Sequence, residues 1–192
     1  MQTPWHEKLL LYRLYRDRDP DAFGELYDRY APKIYRYVYF KVSTTTEAED
    51  LTAEVFLKTW EYVQRHADNP EKRIENFRAF IYRLAKNAVV DHYRQRREAS
   101  ILAEDSVLEK VSMPEEMSAV AKVTLASDMA TVEIALKGLK DEYRELLILK
   151  YIEGYATHEI AKILEKQKGA VRVGIHRALA ALREEIEKIE NK

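Results

Sequence analysis

The sequence contains no cysteine, which excludes disulfide bonds and thiolate metal sites. It has only five glycines and five prolines in 192 residues, so few turn residues interrupt the chain. No apolar run approaches the roughly 18 residues that a membrane-spanning helix needs, and no basic start leads into an apolar signal core. These absences predict a soluble cytoplasmic protein that does not enter a membrane.

Amphipathic segments of helical period fill most of the chain, and 46% of its residues are hydrophobic. This pattern, with so few turn residues, predicts an all-α protein with sizeable cores. We expect two helical domains, residues 1–97 and 127–192, joined by an acidic flexible linker over residues 98–126. The linker prediction depends on the loss of periodicity after residue 97 and on the Met113-Pro114 pair.

Charge is segregated along the chain, although the formal net charge is only −1. Residues 78–97 hold six Arg or Lys against one Asp, and residues 162–183 hold six against one Glu. Between them, residues 98–121 hold six acids against one Lys. Two basic segments of one sign favour binding to a polyanion such as nucleic acid.

The first domain is predicted to contain four helices. Pro20 and Asp21 suit a first helical turn, and Thr45 or Thr46 can cap the helix that follows. The Asn69-Pro70 pair marks a loop. The assignment is therefore helices over 5–17, over 20–42 with a possible break at Pro32, up to Val63 and over 77–97, with a loop over 64–76.

Two of these helices have unusual outward faces. On the helix that ends at Val63, the arc opposite the apolar side carries Glu47, Asp50, Glu54, Leu57 and Glu61. An acidic stripe with a leucine in its middle is compatible with a solvated face or with docking on a basic partner. On the helix over 77–97, the side opposite the apolar arc carries Arg83, Lys86, Asn87, Val90, Arg94 and Arg97.

The second domain is predicted to be a four-helix unit that begins near Ser127, with Gly138 and Gly154 as helix ends. Its last two helices, 157–164 and 168–186, are separated by the three-residue turn Glu165-Lys166-Gln167. A short helix, a tight turn and a longer basic helix are typical of a helix-turn-helix. The outward side of the last helix carries Arg172, Val173, His176 and Arg177, and His176 has no partner at metal-ligand spacing.

Three segments in this order resemble bacterial sigma-70 family factors. Residues 48–61 (AEDLTAEVFLKTWE) resemble the core-binding region, residues 76–97 (NFRAFIYRLAKNAVVDHYRQRR) the −10 recognition region, and residues 139–184 the −35 domain. The small two-domain layout resembles the extracytoplasmic-function (ECF) group. The resemblance covers about residues 18–97 and 128–188.

The resemblance implies a role for each outward face. Asp50, Glu54, Leu57, Trp60 and Glu61 would dock on the β′ coiled coil of core RNA polymerase. Arg83, Lys86, Asn87, Arg94 and Arg97 would face the promoter −10 element, with Arg83 and Asn87 beside the pocket for a flipped base. Lys168, Arg172, Val173, His176 and Arg177 would read the −35 element, in a domain that also contacts the β flap. An anti-sigma factor or another regulatory protein is a further implied partner.

The helix-turn-helix departs from the family pattern at its turn. A Gly, an apolar residue and a Ser or Thr cap are usual where Glu165, Lys166 and Gln167 stand. Ala156 replaces the usual cap of the preceding helix, although Thr157 can cap one residue later, and Gly174 stands where the family often has Arg. Two hypotheses follow: drift compensated by phosphate contacts from Lys166 and Lys168, or a weak −35 reader that depends on a recruiting factor or on −10 contacts.

Two other functional classes stay open on the residues alone. A stand-alone helix-turn-helix regulator would bind DNA without core polymerase. An enzyme acting on nucleic acid could use Asp50 and Glu54, whose i, i+4 spacing suits a metal, but no third ligand, phosphate loop or activated nucleophile accompanies them. The sequence therefore predicts a non-enzymatic initiation factor with no cofactor and no metal site.

Overall fold

The computed structural model describes the backbone of residues 4–102 and 123–191 and the side chains of residues 5–97 and 130–191. The chain divides into two compact units, residues 1–103 and 104–192. Every regular element in the described ranges is a helix or a helical turn, which confirms the all-α prediction. The acidic segment predicted to be a linker lies for the most part outside the described residues.

The described part of the first unit, residues 4–102, consists of four helices and one short 3-10 turn. They are α1 (Pro4–Arg16), α2 (Pro20–Tyr39), α3 (Thr45–His66), the 3-10 turn (Pro70–Lys72) and α4 (Phe77–Leu102). Helix α2 packs against the other three helices, and α3 packs against α4. Buried aromatic rings join α2 to α4: the Tyr30 and Phe77 ring centres lie 5.3 Å apart, and those of Tyr37 and Tyr82 lie 5.2 Å apart.

Local capping explains where α2 and α3 begin. Asp19 accepts a 2.9 Å hydrogen bond from the Asp21 backbone N–H, and the adjacent Arg13 guanidinium lowers the pKa of the Asp19 carboxyl. The cap of α3 is Thr44, one residue before the earlier of the two predicted candidates. Thr44 is the cap because its backbone is extended and Glu47 lies three residues later, which completes a reciprocal capping box.

Several predicted boundaries in the first unit are wrong by a few residues. Helix α2 passes through Pro32 without a break and ends at Tyr39 rather than residue 42. Helix α3 continues into the predicted loop as far as His66, and α4 continues past its predicted helical end at Arg97 to Leu102. At Pro32, the burial of Tyr30 and Ile34 on either side maintains the helix despite the missing backbone donor.

The second unit contains the predicted four helices with a different internal detail. They are α5 (Val123–Gly138), α6 (Asp141–Leu147), α7 (Thr157–Ile163) and α8 (Lys168–Glu190). Helix α6 does not continue to Gly154 as one α-helix, because a π-helical turn (Ile148–Ile152) follows it. Gly154 ends this turn at φ +71°, where glycine pays no steric penalty.

Helix α8 lies against α5, α6 and α7. Its buried residues, Val171, Ile175 and Ala178, recur at helical spacing on the side opposite the predicted outward residues. Arg144 fastens α6 to the end of α5, since its guanidinium donates to the carbonyl oxygens of Leu136, Lys137 and Leu139 at 2.7–2.9 Å. The burial of one side of α8 against these helices determines which side of α8 faces outward.

Candidate functional site

Helix α3 presents the predicted acidic stripe on its outward side. Asp50, Leu57 and Glu61 are exposed, and Leu57 retains 59% of its accessible surface. Trp60 is half-buried because its ring packs on Phe23, with 4.9 Å between ring centres. An exposed leucine between two carboxylates, bordered by an indole, is a surface suited to protein contact.

Glu47 does not belong to this stripe, although its spacing predicted that it would. Its carboxylate is half-buried between the start of α3 and the C-terminal half of α4. It lies 3.2 Å from Arg96 Nη1 and 3.3 Å from His92 Nε2. It also accepts from the backbone N–H groups of Ser43 and Thr44 at 3.0 Å each. Burial opposes ionisation, but these hydrogen bonds and His92 outweigh it, so the pKa of Glu47 is lowered.

Helix α4 presents the predicted basic face. Arg83, Asn87, Arg94 and Arg97 are exposed, Lys86 is half-buried, and the opposite residues Ile81, Ala85 and Ala88 are buried. Val90 lies on this face with 58% of its surface exposed. An exposed valine among cations was visible in the sequence as an outward apolar position and adds an apolar contact to the face.

Arg94 lies both on the basic face and beside α3. Its guanidinium forms a 3.1 Å ion pair with Asp91. A groove of about 300 Å³ between α3 and α4 is lined by Arg94 together with Asp50 and Glu54. The structure therefore brings one predicted −10 residue beside two residues of the acidic stripe, whereas Arg83 and Arg97 do not line this groove.

Side chains of two helices hold the half of the loop that leads into α4. The Tyr62 hydroxyl donates to the Lys72 carbonyl oxygen at 2.8 Å. The Ile74 backbone N–H donates to the Tyr15 hydroxyl of α1 at 3.1 Å. The loop predicted over 64–76 is thus shorter than expected and ordered by side chains of two helices.

The turn of the helix-turn-helix forms without its usual residues. Glu165 adopts φ +53°, the conformation for which glycine is preferred. The Lys166 backbone N–H donates to the Ala161 carbonyl oxygen at 3.0 Å, which closes the end of α7. The Lys166 side chain lies 3.6 Å from Glu142 of α6, so an ion pair stands where an apolar anchor is usual.

Neither helix of this motif has a side-chain cap. Gln167 precedes α8 with extended backbone but makes no side-chain hydrogen bond to it, as the sequence predicted. Ala156, not Thr157, precedes α7, which corrects the alternative cap. Glu159 supplies half of a capping box by accepting from the Ala156 N–H at 2.8 Å.

The outward side of α8 presents all five predicted residues. Lys168, Arg172, Val173, His176 and Arg177 are exposed, with Val173 at 50%. Gly174 is explained by packing, since a Cβ at this position would lie 2.7 Å from Leu146 Cδ1 of α6. Glycine therefore lets α8 approach α6 closely while its cationic side stays accessible.

The part of the chain that the structure describes contains neither a cluster of metal ligands nor a membrane-spanning helix. Over residues 5–97 and 130–191, whose side chains are described, no three His, Asp or Glu side chains are placed to hold a metal ion. In the same ranges no helix is long and apolar enough to cross a membrane.

Family models match both units of the chain. Sigma-70 region 2 matches residues 26–99, which include α3 and most of α4. Sigma-70 region 4 matches residues 132–182, which include the helix-turn-helix.

Similar curated proteins are ECF RNA polymerase sigma factors. SigW of Bacillus subtilis strain 168 is 31% identical over 176 residues, covering 88% of this chain and 90% of SigW. BldN of Streptomyces coelicolor is 29% identical over 178 residues, covering 85% of this chain but only 60% of BldN.

Two solved structures share the fold. CnrH, in complex with the cytosolic domain of CnrY, has a TM-score of 0.66 at 23% identity, covering 95% of this chain and 98% of CnrH. The sigma factor RpoE of Bartonella quintana, in complex with the anti-sigma factor NepR, has a TM-score of 0.63 at 20% identity, covering 86% of this chain and 96% of RpoE.

Proposed function

The chain belongs to the ECF RNA polymerase sigma factors, and from this we propose how its surfaces divide the work of transcription initiation. The acidic stripe of α3 binds core RNA polymerase at the β′ coiled coil. The basic face of α4 binds and helps to open the −10 element, and α8 reads the −35 element while its unit contacts the β flap. Polymerase performs the chemistry, so we infer that this chain is not an enzyme and acts in the cytoplasm.

We propose the functional boundaries 1–97 for −10 recognition and 127–192 for −35 recognition, with residues 98–126 as connector. The observation that carries the proposal is the pair of oppositely charged outward faces, the acidic one on α3 and the basic one on α4. Leu57 and the carboxylates around it suit a basic protein partner, whereas Arg83 and Arg97 suit phosphates and exposed bases. One unit can thus hold polymerase and DNA on different helices.

Reconstitution tests the assignment of these faces. Asp50→Lys with Glu61→Lys should abolish binding to core polymerase, while the matched reversal Glu71→Lys with Glu75→Lys, at exposed acids outside the stripe, should not. Equal loss in both pairs would mean that net charge, rather than the stripe, governs binding.

A second pair of variants separates DNA opening from polymerase binding. Arg83→Gln with Arg97→Gln should abolish open-complex formation and leave core binding intact, because both side chains are exposed on α4. Lys137→Gln with Lys188→Gln in the second unit removes the same charge as a control. If core binding falls together with opening, the face assignment is wrong or the variant is misfolded, and circular dichroism distinguishes these outcomes.

Reading of the −35 element is proposed to be weak. The start of α8 has no side-chain cap and follows the strained Glu165 backbone, so the base-facing end of the helix depends on packing rather than on a capping side chain. Transcript 5′ ends from sheared genomic DNA should then share a −10 sequence without a strong −35 sequence. Strong, sequence-specific protection of −35 DNA by the holoenzyme alone would contradict weak reading and favour compensation by Lys166 and Lys168.

A regulatory protein is the remaining proposed partner. The similar CnrH and RpoE folds were each solved with a bound protein, which for RpoE is an anti-sigma factor. We infer that this chain is also held by an anti-sigma factor or a comparable regulator. Affinity capture from the source cells, with and without competing core polymerase, tests this inference by asking whether the captured protein and core exclude each other.

A further inference from the structure

Helix α1 carries a row of large apolar side chains on its solvent side. Trp5 is 78% exposed, Leu9 is 52% exposed and Tyr12 is 51% exposed. Their i, i+4, i+7 spacing places them in one line, while the opposite side of α1 is buried against its own unit through residues that include Leu10 and Leu14. Isolated exposed apolar residues need no explanation, but a contiguous row indicates a binding surface.

Both aromatic rings in this row have a cation beside them. Lys8 Nζ lies 5.5 Å from the centre of the Trp5 ring, and the Arg16 guanidinium lies 5.4 Å from the centre of the Tyr12 ring. We call Trp5, Lys8, Leu9, Tyr12 and Arg16 together the α1 stripe. A partner with both negative charges and planar groups could pair its charges with these cations and stack its planar groups on the rings.

No acid belongs to the α1 stripe itself, although Glu25 of α2 pairs with His6 and Arg13 of α1 at 3.1 and 3.3 Å. The only acid within α1 is Glu7. It accepts a hydrogen bond from the buried Tyr30 hydroxyl, on the side of α1 that faces α2. Aromatic rings interleaved with cations, without acids, are the composition that binds single-stranded nucleic acid. A purely apolar protein groove would instead desolvate Lys8 and Arg16 without compensation.

The end of α1 is tied to the loop that leads into the basic face of α4. Tyr15 accepts the backbone N–H of Ile74, and Arg73 lies 5.4 Å from the centre of the Tyr15 ring. Arg18, just beyond α1, pairs with Asp68 of the same loop at 3.0 Å. Since Ile74 lies three residues before the start of α4, the α1 stripe and the proposed −10 face belong to connected parts of one unit.

We propose that the α1 stripe binds an unpaired DNA strand of the opened promoter, with bases stacked on Trp5 and Tyr12 and phosphates near Lys8 and Arg16. The inference rests on the proposed role of the first unit in opening DNA. Trp5 and Tyr12 are seven residues apart, which is about 10 Å along a helix, so the row suits about two or three nucleotides. Every duplex base is already stacked, so only an unpaired strand can use both rings.

The test uses holoenzyme and fork-junction promoter DNA, with or without a single-stranded extension beyond the −10 element. The extension should tighten wild-type binding about tenfold for each stacked base. Trp5→Ala with Tyr12→Ala should lose this gain while binding the unextended fork and core polymerase normally. Tyr151→Ala removes a comparably exposed ring, 59% accessible, from the second unit and should keep the gain.

Three outcomes would overturn the proposal. The double variant could retain the gain, it could lose affinity for core polymerase instead, or it could lose only binding to anionic phospholipid vesicles. The free full-length chain provides an independent reading through the anisotropy of a labelled single-stranded oligonucleotide. If wild-type holoenzyme fails to bind the fork at all, the proposed function fails, and weaker oligonucleotide binding by the double variant still decides the question of the stripe.

Discussion

Removing the Glu47 carboxylate should loosen the start of α3 and its attachment to α4. This side chain accepts from the backbone N–H groups of Ser43 and Thr44 and lies against His92 and Arg96. Glu47→Ala deletes all of these contacts. Glu47→Gln keeps an oxygen that can accept one or both backbone hydrogen bonds but removes the negative charge.

The expected magnitudes follow from the kind of contact that is lost. A hydrogen bond to a charged group contributes about 1.5–3 kcal/mol, and a partly exposed ion pair contributes at most about 1 kcal/mol. Solvent can replace part of each contact here, so Glu47→Ala should lower the free energy of unfolding of the first unit by about 2–3 kcal/mol. Glu47→Gln should cost roughly 1 kcal/mol, and Glu75→Gln on the exposed loop should be nearly neutral.

The effect of Glu47→Gln should depend on pH with a definite sign. Because the folded-state pKa of Glu47 is lowered, the charge stabilises the fold above the unfolded pKa of about 4.3. This stabilisation is lost as the pH falls through the lowered folded-state pKa. The difference between wild type and Glu47→Gln should therefore be full at neutral pH and shrink in acid.

Tryptophan fluorescence measures this unit alone in the intact chain. The protein has two tryptophans, Trp5 and Trp60, and both lie in the first unit. Urea titrations followed by this signal yield the unfolding free energy of that unit, whereas circular dichroism reports both units. If the Glu47→Gln difference persists unchanged at acid pH, the charge of Glu47 does not stabilise the fold and our reasoning is refuted.

Three further predictions concern backbone positions and the second unit. Arg144→Met should destabilise the second unit by roughly 2–3 kcal/mol, since three carbonyl oxygens lose a charged donor; circular dichroism should shift while the tryptophan transition does not. Gly24→Ala should stabilise the first unit by about 0.5–1 kcal/mol because its added Cβ meets open space. Gly174→Ala should stabilise the second unit by less, because its added Cβ would meet Leu146. Equal gains in stability would contradict the close approach of α8 to α6. Gln167→Ser should stabilise the second unit by about 0.5–1 kcal/mol by supplying a cap, and no change in the urea midpoint would show that the start of α8 is already satisfied.

The sequence predicted which face of each helix is buried more accurately than it predicted where each helix begins and ends. The buried arcs of α3, α4 and α8 follow directly from spacing, because an apolar side must be buried whichever residues begin and end the helix. The cap of α3 required a choice among three neighbouring threonines. That choice depends on which threonine has extended backbone and a glutamate three residues later, and only Thr44 meets both conditions.

Periodicity also cannot show where a side chain turns when two helices pack. Glu47 and Asp50 share the outward arc of α3, yet only Asp50 remains exposed. Glu47 is drawn toward α4 by Arg96, a residue 49 positions later in the chain. Likewise, the i, i+3 pair of Asp91 and Arg94 places that cation beside the groove with α3, which helical spacing alone does not reveal.

The position of α8 depends on packing more than on local signals. With no cap at Gln167 and a strained residue at Glu165, the start of the helix is fixed mainly by the burial of Val171 and by the approach of Gly174 to α6. Because Arg144 in turn holds α6 to α5, a change on α6 can move the α8 side chains that we propose to read the −35 element. Promoter recognition by this unit should therefore be sensitive to substitutions at the buried contact between α6 and α8.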